Sequence, residues 1–190
     1  VSRFVFCFGA NTLGSATFDP MLIRWSDQED PANWTPASTN QAGDLRLSKG
    51  TEIVTAKQSR QEVLVWTDSS VYSLQYQGAP IVWGVQLVGD NISIASQNAV
   101  GFSGGVAYWM GKDKFYSYDG RTQTLPCDVR RFIFNDFNEL QYDQVFAGTN
   151  EAFHEIWWFY CSQNSQTIDR YVVYNYLEKT WYYGTMARTA

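Results

Sequence analysis

A single histidine limits what this chain of 190 residues can catalyse. His154 lies inside the run AFHEIWW (152–158), so a Ser-His-Asp or Cys-His arrangement has at most one candidate base. No G-x-S-x-G nucleophile elbow is present, and His154 reads as a strand histidine with a satisfied hydrogen bond. Glycosidases need two facing carboxyl groups. Asp27, Glu29 and Asp30 cluster in a proline-containing turn, but without the spacing and glycine of a calcium loop. Asp113, Asp119, Asp128, Asp136, Asp143 and Glu155 are spread out, and Asp119-Gly120 reads as a turn dipeptide. FSGG (102–105) lacks the Lys-Ser/Thr and the helix start of a phosphate loop, so it reads as a hairpin turn. Cys7, Cys127 and Cys161 are odd in number and far apart, which argues against a disulfide framework and a zinc site. They read as three reduced, largely buried thiols. No catalytic, cofactor-binding or metal-ligating residue is assigned, and the chain reads as a non-enzyme with no cofactor.

Two features bear on binding. Net charge is −5 and the fourteen basic residues are scattered. The one dense pair, Arg130-Arg131, is flanked by Asp128 and Asp136, a poor footprint for gripping phosphates. The eight tryptophans read as core or subunit-interface residues, with a sugar platform as the alternative use. Asn33-Trp34-Thr35 and Asn91-Ile92-Ser93 match the glycosylation triplet but come without a secretory signal. No run approaches the roughly 20 apolar residues of a membrane helix. The sequence begins at Val1, inside an apolar run and without an initiator Met, and so reads as a piece of a longer polypeptide.

The elements that must position these residues are strands. Period-2 alternation and aromatic or β-branched enrichment dominate. Residues 50–58, 62–68, 71–78 and 81–89 predict four strands joined by tight links. Residues 99–104, 105–111, 114–120 and 122–127 predict four more. In 128–140 the alternation breaks, and Val129, Phe132, Ile133 and Phe137 predict one face of a short helix. Residues 142–148, 153–161, 169–176 and 180–184 form a third group of four. The N-terminal group is incomplete, with candidates at 3–10, 21–27 and, weakly, 34–36. Its first strand is missing, unless TMARTA (185–190) supplies it.

Trp25, Tyr76, Tyr118 and Tyr176 each end a third strand before a polar turn, at separations of about 51, 42 and 58 residues. This predicts an all-β, β-propeller-like repeat of about four four-stranded antiparallel blades. They fall near 3–48 (partial), 50–89, 99–127 and 142–184, within one domain over 1–190. A blade packs both faces on neighbours, so its strands become dense apolar runs; Trp157-Trp158 side by side fits that and not a one-sided sheet.

YWMGKDKFYSYDG (108–120) and LPCDVRRFIFNDFN (125–138), with 58–80 and 174–189, resemble bacteriophage tail proteins. These are the tail nozzle, tail tubular or packaged-DNA-stabilising proteins of the head-to-tail region. The resemblance implies a structural virion component, made in the host cytoplasm, with tail or connector proteins and copies of itself in a ring as partners. It implies a channel wall that touches packaged DNA without gripping it, and no catalytic residues. Acidic turns at 27–30 or 113–119 would then face the lumen or solvent. A lectin-like propeller that recognises sugars is the alternative.

Overall fold

A computed structural model describes residues 1–187 of the chain. The chain divides into two compact units, Val1–Ile92 and Ser93–Ala190. Each holds two antiparallel sheets, and the whole is an all-β, propeller-like succession of four meanders.

The first sheet is β1 (Phe6–Asn11), β2 (Phe18–Trp25) and β3 (Gly43–Arg46), in that order. The second is β4 (Ile53–Gln58), β5 (Val63–Thr67), β6 (Ser70–Gly78) and β7 (Val82–Asp90). Every residue of β5 is buried, so this strand has no solvent face. That is why it reads VLVWT rather than as an alternation. The core of the first unit sets Met21, Ile23, Trp25 and Leu47 against Val63, Val65, Tyr72 and Leu74. Phe4 and Phe6 close it with edge contacts to Trp83, at ring separations of 5.5 and 4.9 Å.

The last strand of the first sheet is not 34–36, as expected, but 43–46. The Trp34 indole N–H donates to the Pro31 carbonyl at 2.8 Å, which makes 31–34 a self-bonded loop. The true strand, GDLR, is a short edge strand whose charged residues face outward.

In the second unit, β8 (Val100–Ser103), β9 (Val106–Met110), β10 (Phe115–Tyr118) and β11 (Thr122–Leu125) form the third sheet. β12 (Phe146–Asn150), β13 (Glu155–Tyr160), β14 (Arg170–Asn175) and β15 (Thr180–Thr185) form the fourth. FSGG is the expected hairpin turn: Gly104 and Gly105 have φ of 59° and 87°, as a two-residue type I′ turn requires. The two sheets are stitched at the start of β12. There the Ala147 N–H donates to the Asn98 carbonyl at 2.7 Å, and the Trp158 indole donates to Ala99 at 2.9 Å. Phe115 sits at the centre, touching the rings of Phe134, Trp158 and Trp181.

The expected helix is shorter than 128–140. It is α1 (Arg130–Asn135), followed by a 3-10 turn over Glu139–Gln144. Phe137 leaves helical geometry to bridge Ser162, and the Asn138 side chain caps the turn by accepting from Leu140 N–H. Ile133 and Phe137 are buried as expected, but Phe132 is exposed and meets the Tyr183 ring at a tilt, with centroids 4.6 Å apart. Thr185 closes β15, so it is not a first strand for the N-terminal sheet; residues 188–190 lie outside the described residues.

The β5–β6 turn shows how polar groups lock these hairpins. Burial pushes the Asp68 carboxyl up. The hydrogen bonds it accepts from Thr51 N–H and Oγ1, at 2.8 and 2.7 Å, outweigh that and hold it below the ordinary value of 3.8. A carboxyl depressed in the fold adds stability that is fully present above its unfolded value and is lost as acid titrates the folded group. Asp68→Asn is therefore expected to flatten the acid limb of stability below about pH 4. Urea melts of both proteins from neutral pH downward check this; parallel acid limbs would contradict it.

Candidate functional site

His154 is not inside a strand. It ends the 3-10 turn Glu151–Phe153 in the left-handed region, with φ 59°, and is exposed. The chain must reverse between β12 and β13, and His154 takes the strained position. Its Nδ1 lies 3.3 Å from the Tyr176 hydroxyl, which accepts from Ser103 Oγ at 2.9 Å. The ring thus faces a phenol, and Ser103 is spent on that same phenol rather than on the imidazole.

The carboxylates are held apart by local bonds. Asp27 accepts from the backbone N–H groups of Gln28 and Gln41, Asp30 from Ala32, and Glu29 pairs with Arg3. Asp119 and Asp128 accept from Arg121 and Val129 N–H, and Asp136 pairs with Arg170 at 3.0 Å. Glu29, Asp30, Asp113 and Asp119 are exposed. Among the described residues no group of three or more His, Cys, Asp or Glu could hold a metal ion.

The thiols divide. Cys161 is fully buried and Cys127 half-buried; burial pushes Cys127 up to about 12 and raises Cys161. Cys7, expected to be buried, is exposed. Its neighbours Phe6 and Phe8 turn into the core, so alternation turns Cys7 out. One thiol per native chain is expected to react promptly with an aromatic disulfide reagent, and all three after denaturation; Cys7→Ser should remove the prompt fraction. A prompt fraction that survives Cys7→Ser would refute the assignment.

None of the eight tryptophans is exposed, so the chain carries no row of open indoles. One indole is nevertheless poised differently from the rest. Four cross-strand pairs set an aromatic ring opposite a glycine: Trp25 and Gly43, Tyr171 and Gly184, Tyr108 and Gly101, and Trp157 and Gly148; Gly101 is covered by Thr149, Ile156 and Ala147. In the first two the ring lies over the glycine. A methyl group on Gly43 would come within 2.6 Å of the Trp25 ring, and one on Gly184 within 2.5 Å of the Tyr171 hydroxyl. Over Gly148 such a methyl would meet only the Phe159 ring edge, at 3.9 Å. Trp157 turns away instead, and its N–H donates to Glu155 Oε2 at 2.9 Å. The uncovered space is an open groove of about 320 Å³, lined by Gly148, Thr149, Asn150, Trp157, Phe159 and Met186.

No model of a known protein family matches the chain, and no curated protein does. Its chemistry must be read from its own side chains. The groove was not legible in the sequence, because it depends on the register that puts Gly148 opposite Trp157 and Asn150 opposite Glu155. A glycine among large residues in a strand was the available signal.

Proposed function

We propose that this chain is a structural part of a bacteriophage virion, in the tail nozzle or head–tail connector. There it helps to form a DNA-conducting channel or to stabilise packaged DNA. Its partners are other tail or connector proteins and copies of itself in a ring. The observation that carries the reading is the double-sided burial of the strands, seen in full at β5. Such sheets serve as stacked, rigid walls. The two blocks that resemble tail proteins do packing work here. Residues 108–120 hold the end of β9, the turn and all of β10, and 125–138 include α1, whose Phe134 meets Phe115. Asp27, Asp30, Asp68, Asp119 and Asp136 are spent on turns and ion pairs, which suits a scaffold better than a reactive centre. Sugar recognition by a row of open tryptophans has less support, since none of these indoles is exposed.

A channel wall must let DNA slide, and a chain of net charge −5 repels phosphates on balance. Electron microscopy of the purified protein tests the reading. Rings with an axial opening are the expected result, together with no salt-dependent binding of duplex DNA by fluorescence anisotropy. A protein that stays monomeric at every concentration, or a steep loss of DNA binding with added salt, would sink it.

A further inference from the structure

We propose that the groove over Gly148 is a binding site for a single pyranose ring, a role separate from that of a structural wall. Four features converge within the second unit. The half-buried Trp157 offers an indole beside a glycine that no ring covers. Its N–H is committed to Glu155, which fixes the ring and points one carboxylate oxygen at a known partner. The other oxygen, Glu155 Oε1, has no hydrogen-bond partner among the described residues. Directly opposite in the ladder stands Asn150, whose side chain does not cap the turn that follows it.

Together these supply a flat apolar surface flanked by a carboxylate acceptor and a carboxamide that both donates and accepts. A pyranose has the matching parts: an apolar C–H face to lay on the indole, and adjacent hydroxyls that donate to a carboxylate and bond an amide. The volume is at the small end of ligand sites, which suits a single ring. A wholly apolar occupant would bury the carboxylate and the carboxamide without partners, at a cost. A quaternary ammonium prefers a cage of several ring faces. Here Phe159 is 2% exposed and so adds no open face beside the half-buried Trp157.

The test is saturation-transfer NMR and calorimetry on the chain with the methyl glycosides of glucose, galactose, mannose and N-acetylglucosamine, and with choline. Saturable, millimolar binding of at least one glycoside is expected, stronger than that of choline. Gly148→Leu fills the groove and should abolish it. Glu155→Gln should weaken it about tenfold, the loss of one charge-assisted bond. A melting temperature of Gly148→Leu close to that of the parent controls for folding. No saturable binding of any glycoside, a preference for choline, or full binding by Gly148→Leu would each overturn the proposal. Failure here leaves the ring-and-channel reading standing, since neither ring formation nor DNA repulsion involves this groove.

Discussion

Replacing Trp158 with alanine will cost the second unit about 3–5 kcal/mol, a large share of the stability of a small unit. Trp158 is 0% exposed and stands in the middle of β13. Its ring packs on Phe115 at 5.1 Å and on Trp181 at 6.1 Å, and both contacts vanish with the side chain. The indole N–H also donates to the Ala99 carbonyl across the two sheets, so alanine leaves a buried acceptor without its donor. Trp158→Phe separates the two losses. It keeps most of the apolar volume and forfeits the hydrogen bond, so it should cost less than half as much as alanine. Urea unfolding followed by circular dichroism measures both. Equal costs would mean that the hydrogen bond, not packing, dominates; a cost below about 1 kcal/mol for alanine would mean that the two sheets do not share this core.

The contrast between Trp158 and its neighbour Trp157 shows what the sequence could and could not convey. Two adjacent tryptophans in a strand must point to opposite faces, and both faces must therefore be apolar. That inference needs no structure, and it led to stacked meander sheets. The tight links at 104–105 and after Tyr118 were legible for a similar reason, since glycine at positive φ is a local requirement. What failed was set by which segment pairs, in what register, or where the chain folds back, rather than by residue type. GDLR at 43–46 looks like a loop until β2 pairs with it. WTP at 34–36 looks like a strand because of its tryptophan, which in fact folds back on Pro31. His154 sits in an apolar run, yet the reversal into β13 places it outside the ladder. The helix stops at Asn135 because Phe137 is claimed by a bridge to Ser162. The groove belongs to the same class: Gly148 and Trp157 are unremarkable residues until register makes them opposite.

Gly43→Val should destabilise the first unit by about 2–3 kcal/mol, although valine is a better strand residue than glycine. The reason is the ring that already occupies the place of the missing side chain. The Trp25 ring atoms Cζ2 and Cε2 lie 2.6 and 2.9 Å from where a Cβ would stand. Real side chains do not approach so closely, so the indole must leave. It cannot leave freely, because it is 5% exposed and its N–H donates to the Gln41 carbonyl at 2.8 Å. Displacing it opens the core beside Ile23 and Phe6 and breaks that bond. A double-mutant cycle decides whether this clash is the cause. Trp25→Ala alone should cost about 3–5 kcal/mol, and adding Gly43→Val to it should cost nothing further or restore a little, because the valine then fills vacated space. Additive costs would show that Gly43 is needed for its backbone rather than for the ring above it. The same substitution at Gly148 gives the matching contrast: there no ring stands over the glycine, and Gly148→Val should be tolerated by the fold while closing the groove.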